Sequence, residues 1–207
     1  MTSVANRLVL ALALALALAS PALAGPPTDQ LRSHVDRVIK TLEDPQLKQE
    51  SKALERRTTV RRIADEIFDF GETAKRSLGR HWQARTPAER EEFVQLFADL
   101  LERSYISKIE LFNGERVTYT GETIDGDVAT VRTRLITKQS TEIPVDYRML
   151  KRGDRWLVYD VIIEGVSLVG NYRTQFNKII QTSSYPELIK KMKGRQEELK
   201  GQEKKKT

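Results

Sequence analysis

The stretch WLVYDVIIEGVSLVGNYRTQF, residues 156–176, joins a strand to a helix and decides how the chain folds. Side chains alternate along a strand, so its first half has two predicted faces. The odd-numbered apolar residues are predicted on one face: Leu157, Tyr159, Val161 and Ile163. The even-numbered ones are predicted on the other: Trp156, Val158 and Ile162. This strand is therefore apolar on both faces and needs cover on both.

The three segments before it read as one-sided antiparallel strands, because apolar residues alternate with Thr, Arg, Asp and Glu. Their apolar positions are Val117 and Tyr119, then Ala129, Val131 and Leu135, then Ile143, Val145, Tyr147 and Met149. Turns at residues 125–127 and 152–154, with a looser connection near residues 139–141, separate the strands. The sequence therefore predicts a meander of four antiparallel strands.

Helices are predicted before and after the strands in the sequence. Thr86, Pro87 and Glu89 form a capping box that opens a long helix, which Asn113 and Gly114 end. Shorter helical patterns precede it, and helix returns from Leu168, where Ser167 is the predicted N-cap. Helices followed by an antiparallel sheet and a further helix predict an α+β fold with the N-terminal helices packed on the sheet.

The chain is expected to be exported. Residues 1–24 carry Arg7, an apolar run and an Ala-Leu-Ala cleavage site, which together predict a secretory signal peptide. The apolar run is shorter than the roughly 20 residues that a membrane-spanning helix needs. We expect residues 25–193 to form one domain, which burial alone must stabilise because the chain has no cysteine.

The net charge of +6 is concentrated near one end of the sequence. Residues 190–207 hold eight basic and three acidic residues, whereas residues 25–189 hold equal numbers of each. A neutral body argues against a nucleic-acid-binding domain, and residues 194–207 are predicted to be a basic, disordered tail. A run of arginines in the second helix, Arg56, Arg57, Arg61 and Arg62, is predicted to be a solvated helix face.

The side chains that catalysis would need are missing. His34 and His81 are far apart and there is no cysteine, so the usual zinc and thiol sites are absent. Ser167 lacks the second glycine of a nucleophile elbow. The acids Asp69, Asp160 and Glu164 are expected to pair with an arginine or a backbone donor. We therefore expect no enzyme, no metal and no cofactor.

Two readings of the apolar face remain open from periodicity. The inward strand residues Val131, Val145, Tyr147, Tyr159, Val161 and Ile163, facing Phe97, Leu101 and Tyr105, either fill a solid core or line a cavity. Periodicity alone favours the solid core. A solid core would suit an interaction protein of the cell envelope that binds no lipid.

Several motifs in order resemble the MlaC family, also called toluene-tolerance auxiliary proteins. They are Phe68-Asp-Phe, Leu78-Gly-Arg-His-Trp, Thr86-Pro-Ala-Glu-Arg-Glu-Glu-Phe, Val145-Asp-Tyr, Trp156-Leu-Val-Tyr-Asp-Val and Glu164-Gly-Val-Ser-Leu-Val-x-Asn-Tyr-Arg-x-Gln-Phe. Each motif alone is weak, but their order and spacing are specific, and they cover nearly all of residues 25–193.

The resemblance implies a monomeric periplasmic carrier with a cone-like fold and an apolar cavity that holds phospholipid as its cargo. It implies shuttling between an outer-membrane lipoprotein and porin complex and an inner-membrane ABC transporter of the mammalian-cell-entry class, which would maintain outer-membrane lipid asymmetry. The resemblance reverses the preference for a solid core.

Further lining residues are then expected around the cavity: Phe70, Trp82, Val166, Val169, Tyr172 and Phe176. Arg173 and Arg80 are the candidates for contact with the headgroup, and for Arg173 the alternative is packing against Glu164. Direction of transport and headgroup preference are not predicted.

Overall fold

The computed structural model describes residues 25–204, so the predicted signal peptide lies outside the described residues. The described part contains six α-helices and five strands. The helices are α1 (Pro26–Glu43), α2 (Ala53–Ile67), α3 (Phe70–Leu78), α4 (Pro87–Ile109), α5 (Leu168–Thr182) and α6 (Tyr185–Lys204). The strands are β1 (Arg116–Asp125), β2 (Val128–Ile136), β3 (Glu142–Arg152), β4 (Arg155–Ile163) and β5 (Val166–Ser167). Short 3-10 turns lie at Glu50–Lys52 and Gly79–His81.

The strands form one antiparallel sheet in chain order, β1-β2-β3-β4-β5. This confirms the predicted α+β class and the four-stranded meander, to which the structure adds the two-residue strand β5. The predicted helix caps are confirmed as well. Thr86 and Glu89 exchange the two hydrogen bonds of a capping box, and the Ser167 hydroxyl accepts from the backbone N–H of Gly170 at 2.9 Å.

The predicted alternation along β4 is wrong because the strand contains a bulge. Arg148 pairs with Asp160 and Met149 with Val158, which leaves Tyr159 as an extra residue on β4. Trp156 and Val158 consequently pack in the same cluster as Val161. A bulge depends on the register with β3, and the sequence of β4 alone does not reveal it.

The predicted solvated arginine face on α2 is also wrong for Arg56 and Arg57, whose side chains are largely buried, whereas Arg61 and Arg62 are exposed. Arg56 and Arg57 both pair with Glu110 on the segment that follows α4, at 3.2 and 2.9 Å. Arg61 contacts the Glu102 carboxylate on α4. The side chains of the two acids are only 11% and 5% exposed, so α2 meets α4 and the segment after it through ion pairs whose acidic members are buried.

The predicted disordered tail is helical where the structure describes it. Helix α6 continues through Gly194 to Lys204, and Leu199 is buried among residues of α3, α4 and α5. Gln196 donates to Asp99 of α4 at 2.8 Å. Packing of Leu199 therefore overrides the polar composition that suggested disorder.

The buried carboxylate of Asp160 joins β4 to the start of α5. Asp160 is 2% exposed and accepts hydrogen bonds from the Ser167 hydroxyl at 2.7 Å and the Val169 backbone N–H at 3.0 Å. Arg148 of β3 lies 3.3 Å from the same carboxylate. As expected for these acids, Asp160 has an arginine and a backbone donor. Asp69 similarly caps α3 and pairs with Arg152.

We predict that Asp160→Ala lowers the free energy of unfolding by about 2 to 4 kcal/mol, because it leaves the Ser167 hydroxyl and the Val169 backbone N–H without their acceptor. Ser167→Ala is the comparison variant; it removes the cap and one of the donors to Asp160 but leaves the carboxylate in place, so it should cost only about 1 to 2 kcal/mol. Urea unfolding followed by circular dichroism measures both. Equal losses for the two variants would contradict the central role of Asp160.

We also predict a pH-dependent stability from Glu102. Burial raises the pKa of its carboxyl to about 7, against the attraction of Arg61. A raised pKa means that the folded state favours the protonated form, so this contribution is present below about pH 4.5 and is lost as pH rises through about 7. Glu102→Gln should remove a fall in unfolding free energy of up to about 3 kcal/mol between pH 5 and 8. The exposed Glu55→Gln should leave that fall in place, and a fall that persists in Glu102→Gln would refute the assignment.

Candidate functional site

The apolar side chains of the described residues form two separate clusters rather than one core. The helical cluster is built by α3, α4, α5 and α6 around Phe93, Phe97 and Phe176. The sheet cluster lies on the face of the sheet that α1 and α2 cover, where Leu31 and Ile67 pack on Val131, Met149 and Val158. The boundary between the clusters is where an apolar molecule could be held.

Burial on the covered face of the sheet falls toward one corner. Cross-strand partners share a face, so three rows can be compared. Ala129, Met149 and Val158 are at most 1% exposed. In the next row Val131 is fully buried, but Tyr147 and Val161 are only half-buried. In the third row Thr133 is buried, Val145 is half-buried and Ile163 is 40% exposed.

We call the corner formed by Val145, Ile163 and Val166 the open corner. Val166 of β5 pairs with Ile163 of β4 and is 62% exposed. All three side chains belong to one row, whose β2 member, Thr133, is buried. Burial on this face is thus complete at Met149 and falls gradually toward the ends of β4 and β5. We interpret this gradient as a wedge-shaped space, which we call the wedge.

Tyr147 lies at the edge of the packed part of this face. Its side chain is half-buried, and burial raises the pKa of its hydroxyl to about 12. Tyr147 therefore marks the border between the packed rows and the more exposed open corner.

The helical side of the site is an aromatic group. The rings of Phe97, Tyr172 and Phe176 lie with centroids 4.9 to 5.4 Å apart, two of the three pairs edge to face. Tyr105 and Tyr172 are half-buried beside this group. Burial raises the pKa of both tyrosines, and the proximity of Tyr105 adds to the rise at Tyr172.

The predicted lining residues divide between these regions. The helical cluster includes or borders Phe70, Trp82, Phe97, Leu101, Tyr105, Tyr172 and Phe176. The sheet cluster includes or borders Val131, Tyr147 and Val161. The open corner has Val145, Ile163 and Val166. Two buried residues, Tyr159 and Val169, lie outside both clusters; the Tyr159 ring lies under the Arg76 guanidinium, 4.1 Å from its carbon to the ring centroid. Their roles in binding stay predictions.

The two headgroup candidates are exposed and lie near each other, Arg173 on α5 and Arg80 in the 3-10 turn Gly79–His81. Arg80 is exposed and donates to the Asn177 carboxamide oxygen at 2.7 Å. The Cδ of exposed Arg173 lies 3.2 Å from the position that a Cβ would take at Gly79. Gly79 has a φ of +59°, so both close approach and backbone conformation favour glycine there.

Sequence reasoning missed part of the helical lining. Leu168, Ile179 and Ile180 also pack against the helical cluster. The signal was present, because Leu168, Tyr172 and Phe176 follow one another at four-residue spacing on one face of α5.

Neither histidine is arranged for metal chemistry. His34 Nδ1 lies 2.7 Å from the Gln30 carbonyl oxygen, and His81 Nε2 lies 3.0 Å from the Asn177 carboxamide oxygen. Within the described part of the chain, no group of three or more His, Cys, Asp or Glu residues could hold a metal ion. No helix within residues 25–204 has the length and apolar character that a membrane crossing requires.

The chain matches known proteins over most of its length. The model of the MlaC protein family matches residues 32–194. The intermembrane phospholipid transport system binding protein MlaC of Haemophilus influenzae is 23% identical over 141 residues, which span 66% of this chain and 66% of that protein. A solved phospholipid-binding protein from Ralstonia solanacearum, in complex with a phospholipid, is 25% identical with a TM-score of 0.73 and covers 84% of this chain and 98% of its own.

The wedge-shaped space predicts that neighbouring residues of one row respond differently to enlargement. Val161→Trp points a large side chain toward unfilled space and should change the free energy of unfolding by less than about 1 kcal/mol. Val131→Trp overfills a packed site and should cost at least about 3 kcal/mol. Thermal and urea unfolding compare the two variants. If both are equally destabilising, the face is a solid core.

Proposed function

Because this chain belongs to the MlaC family, we propose that it is a phospholipid carrier that holds acyl chains between the sheet and helices α4 and α5. The carrier has no catalytic step and is exported by the signal peptide of residues 1–24 to the periplasm, where it acts as a monomer. The observation that carries the proposal is the fall in burial from Met149 to Ile163 on a face that helices otherwise cover. The related structure that contains a phospholipid supports it.

In this proposal the apolar space shields the acyl chains of the lipid from water. A two-chain phospholipid has on the order of 30 methylenes, and exposing them to water costs about 0.8 kcal/mol each, or roughly 24 kcal/mol. Free lipid therefore hardly crosses an aqueous compartment. An apolar wedge lined by Tyr147, Val161 and Val145 on one side, and by Tyr105 and Tyr172 on the other, removes that cost.

The headgroup needs a different treatment from the chains. A phosphate at the surface keeps most of its water, and one or two cations orient it without selecting one headgroup. In this proposal Arg80 and Arg173 serve that role, and both are exposed and close together. Affinity should then depend more on acyl length than on the headgroup.

The partners follow from the same proposal. A cargo that is costly to hydrate must be received and delivered by complexes that face the cavity mouth. We assign these roles to an outer-membrane lipoprotein and porin complex and to an inner-membrane ABC transporter of the mammalian-cell-entry class. Shuttling between them would maintain the lipid asymmetry of the outer membrane.

We predict that the protein, purified gently from the periplasm, contains phospholipid in near-stoichiometric amount. Solvent extraction and mass spectrometry measure the lipid per protein. Val161→Glu should lower the lipid content at least about tenfold, because a carboxylate in the wedge opposes acyl chains. Circular dichroism should show an unchanged fold.

The matched control is Leu157→Glu, on a half-buried position of the same strand outside both apolar clusters. It should keep its lipid. Recovery of the wild-type protein without phospholipid, even after gentle preparation, would refute the proposed function.

A further inference from the structure

Seven large apolar side chains of the described residues are markedly exposed, and they fall into three groups. Ile163 and Val166 belong to the open corner. Ile124 and Val128 flank the tight turn between β1 and β2. The third group, which we call the leucine patch, consists of Leu54, Ile109 and Leu111. The proposed cavity does not account for the leucine patch.

The leucine patch contains the two most exposed of these side chains. Leu111 is 77% exposed and Leu54 is 72% exposed. They belong to different helical regions that ion pairs hold together. Arg57, one helical turn after Leu54, bonds Glu110, the residue before Leu111, with 2.9 Å between Nε and Oε2. Arg56 donates to the same carboxylate and to the Leu47 carbonyl oxygen.

Basic residues are concentrated in the sequence around Leu54. Residues 45–62 contain six basic residues and two acidic ones, whereas residues 25–189 as a whole hold equal numbers of each. Lys48, Lys52 and Lys108 are exposed and are close in sequence to Leu54 or Leu111. Lys52 lies 2.8 Å from the exposed Glu55 carboxylate, and the Lys108 ammonium lies 5.1 Å from the centre of the Tyr105 ring. Exposed leucines together with exposed lysines are complementary to the surface of an anionic bilayer. There, apolar side chains enter the acyl region and ammonium groups contact the headgroups.

The leucine patch and the open corner lie at the same end of the sheet. Leu111 precedes β1 by a few residues, and Lys138 of the β2–β3 connection bonds the Asn113 side chain at 2.9 Å. Strand β4 ends at this same end, at Ile163. Three strand spacings separate β1 from β4, which is about 14 Å. A surface that contacts the patch can therefore also lie close to the open corner.

We infer that the leucine patch docks this protein on the surface of a bilayer that contains anionic lipid, with the open corner toward the membrane. The inference rests on the proposed function for its purpose, because the cargo is a membrane lipid. It adds a direct contact with the lipid surface to the contacts with protein complexes. Leu54 and Leu111 enter the interface, and Lys48, Lys52 and Lys108 contact the headgroups.

Vesicle flotation tests the docking surface with the full-length protein. Vesicles of phosphatidylglycerol mixed with phosphatidylcholine should bind the protein, and vesicles of phosphatidylcholine alone should bind it at least about tenfold more weakly. Raising the salt concentration should release the protein, because screening weakens the attraction between lysines and headgroups.

The variant Leu54→Ser with Leu111→Ser should bind the anionic vesicles at least about tenfold more weakly, since each leucine loses its transfer into the interface. Its thermal unfolding should be unchanged because both side chains are exposed. Ile124→Ser with Val128→Ser is the matched control at another exposed apolar pair and should bind as the wild type does. Lys48→Gln with Lys52→Gln should weaken binding in low salt only.

Three results would overturn the inference: no binding to either kind of vesicle, equal loss in the control pair, or binding only when a membrane protein is present in the vesicle. The last would assign the patch to a protein partner. The phospholipid content of each purified variant separates this inference from the proposed function. Retained cargo without docking refutes the inference alone, and docking without cargo refutes the proposed function alone.

Discussion

The carboxylate of Asp160 is the point on which the arrangement of sheet and helices depends. It is buried, and it receives a hydroxyl and a backbone N–H from the first residues around α5 while Arg148 balances its charge. These bonds fix where α5 leaves β4, and α5 carries Tyr172 and Phe176 into the helical cluster. One polar group thus connects a strand that contributes to the sheet cluster with a helix that contributes to the helical cluster.

The sequence predicts the elements well where local chemistry decides them. The capping box at Thr86, the N-cap at Ser167 and the alternation in β2 and β3 all depend on neighbouring residues, and the structure confirms them. The bulge at Tyr159 depends on pairing with β3, and the buried state of Glu110 depends on the approach of α2. The spacing of residues along the sequence does not reveal such tertiary contacts. The open corner is the clearest case, since periodicity shows which way Val145 and Tyr147 point but not whether anything fills the space before them.

The contact between α2 and α4 contains ion pairs, and this affects how easily the two helices can separate. Helix α2 carries Ile67 of the sheet cluster, and α4 carries Phe93 and Phe97 of the helical cluster. Where the two helices meet, Arg56, Arg57 and Arg61 contact Glu110 and Glu102. Ionic groups that separate recover water, whereas apolar groups that separate lose favourable burial. Separating α2 from α4 at this contact therefore requires less free energy than opening either apolar cluster.

The closed end of the wedge at Met149 and Val158 has a consequence for the order of events during transfer. In the proposed function the cargo enters from the open corner toward this packed end, so the two acyl chains enter first and the headgroup leaves first. In the proposed function, each acceptor thus meets the polar end of the cargo before its chains, and the chains are drawn out last. The lipid keeps one orientation relative to the protein throughout, so no rotation within the carrier is needed between loading and delivery.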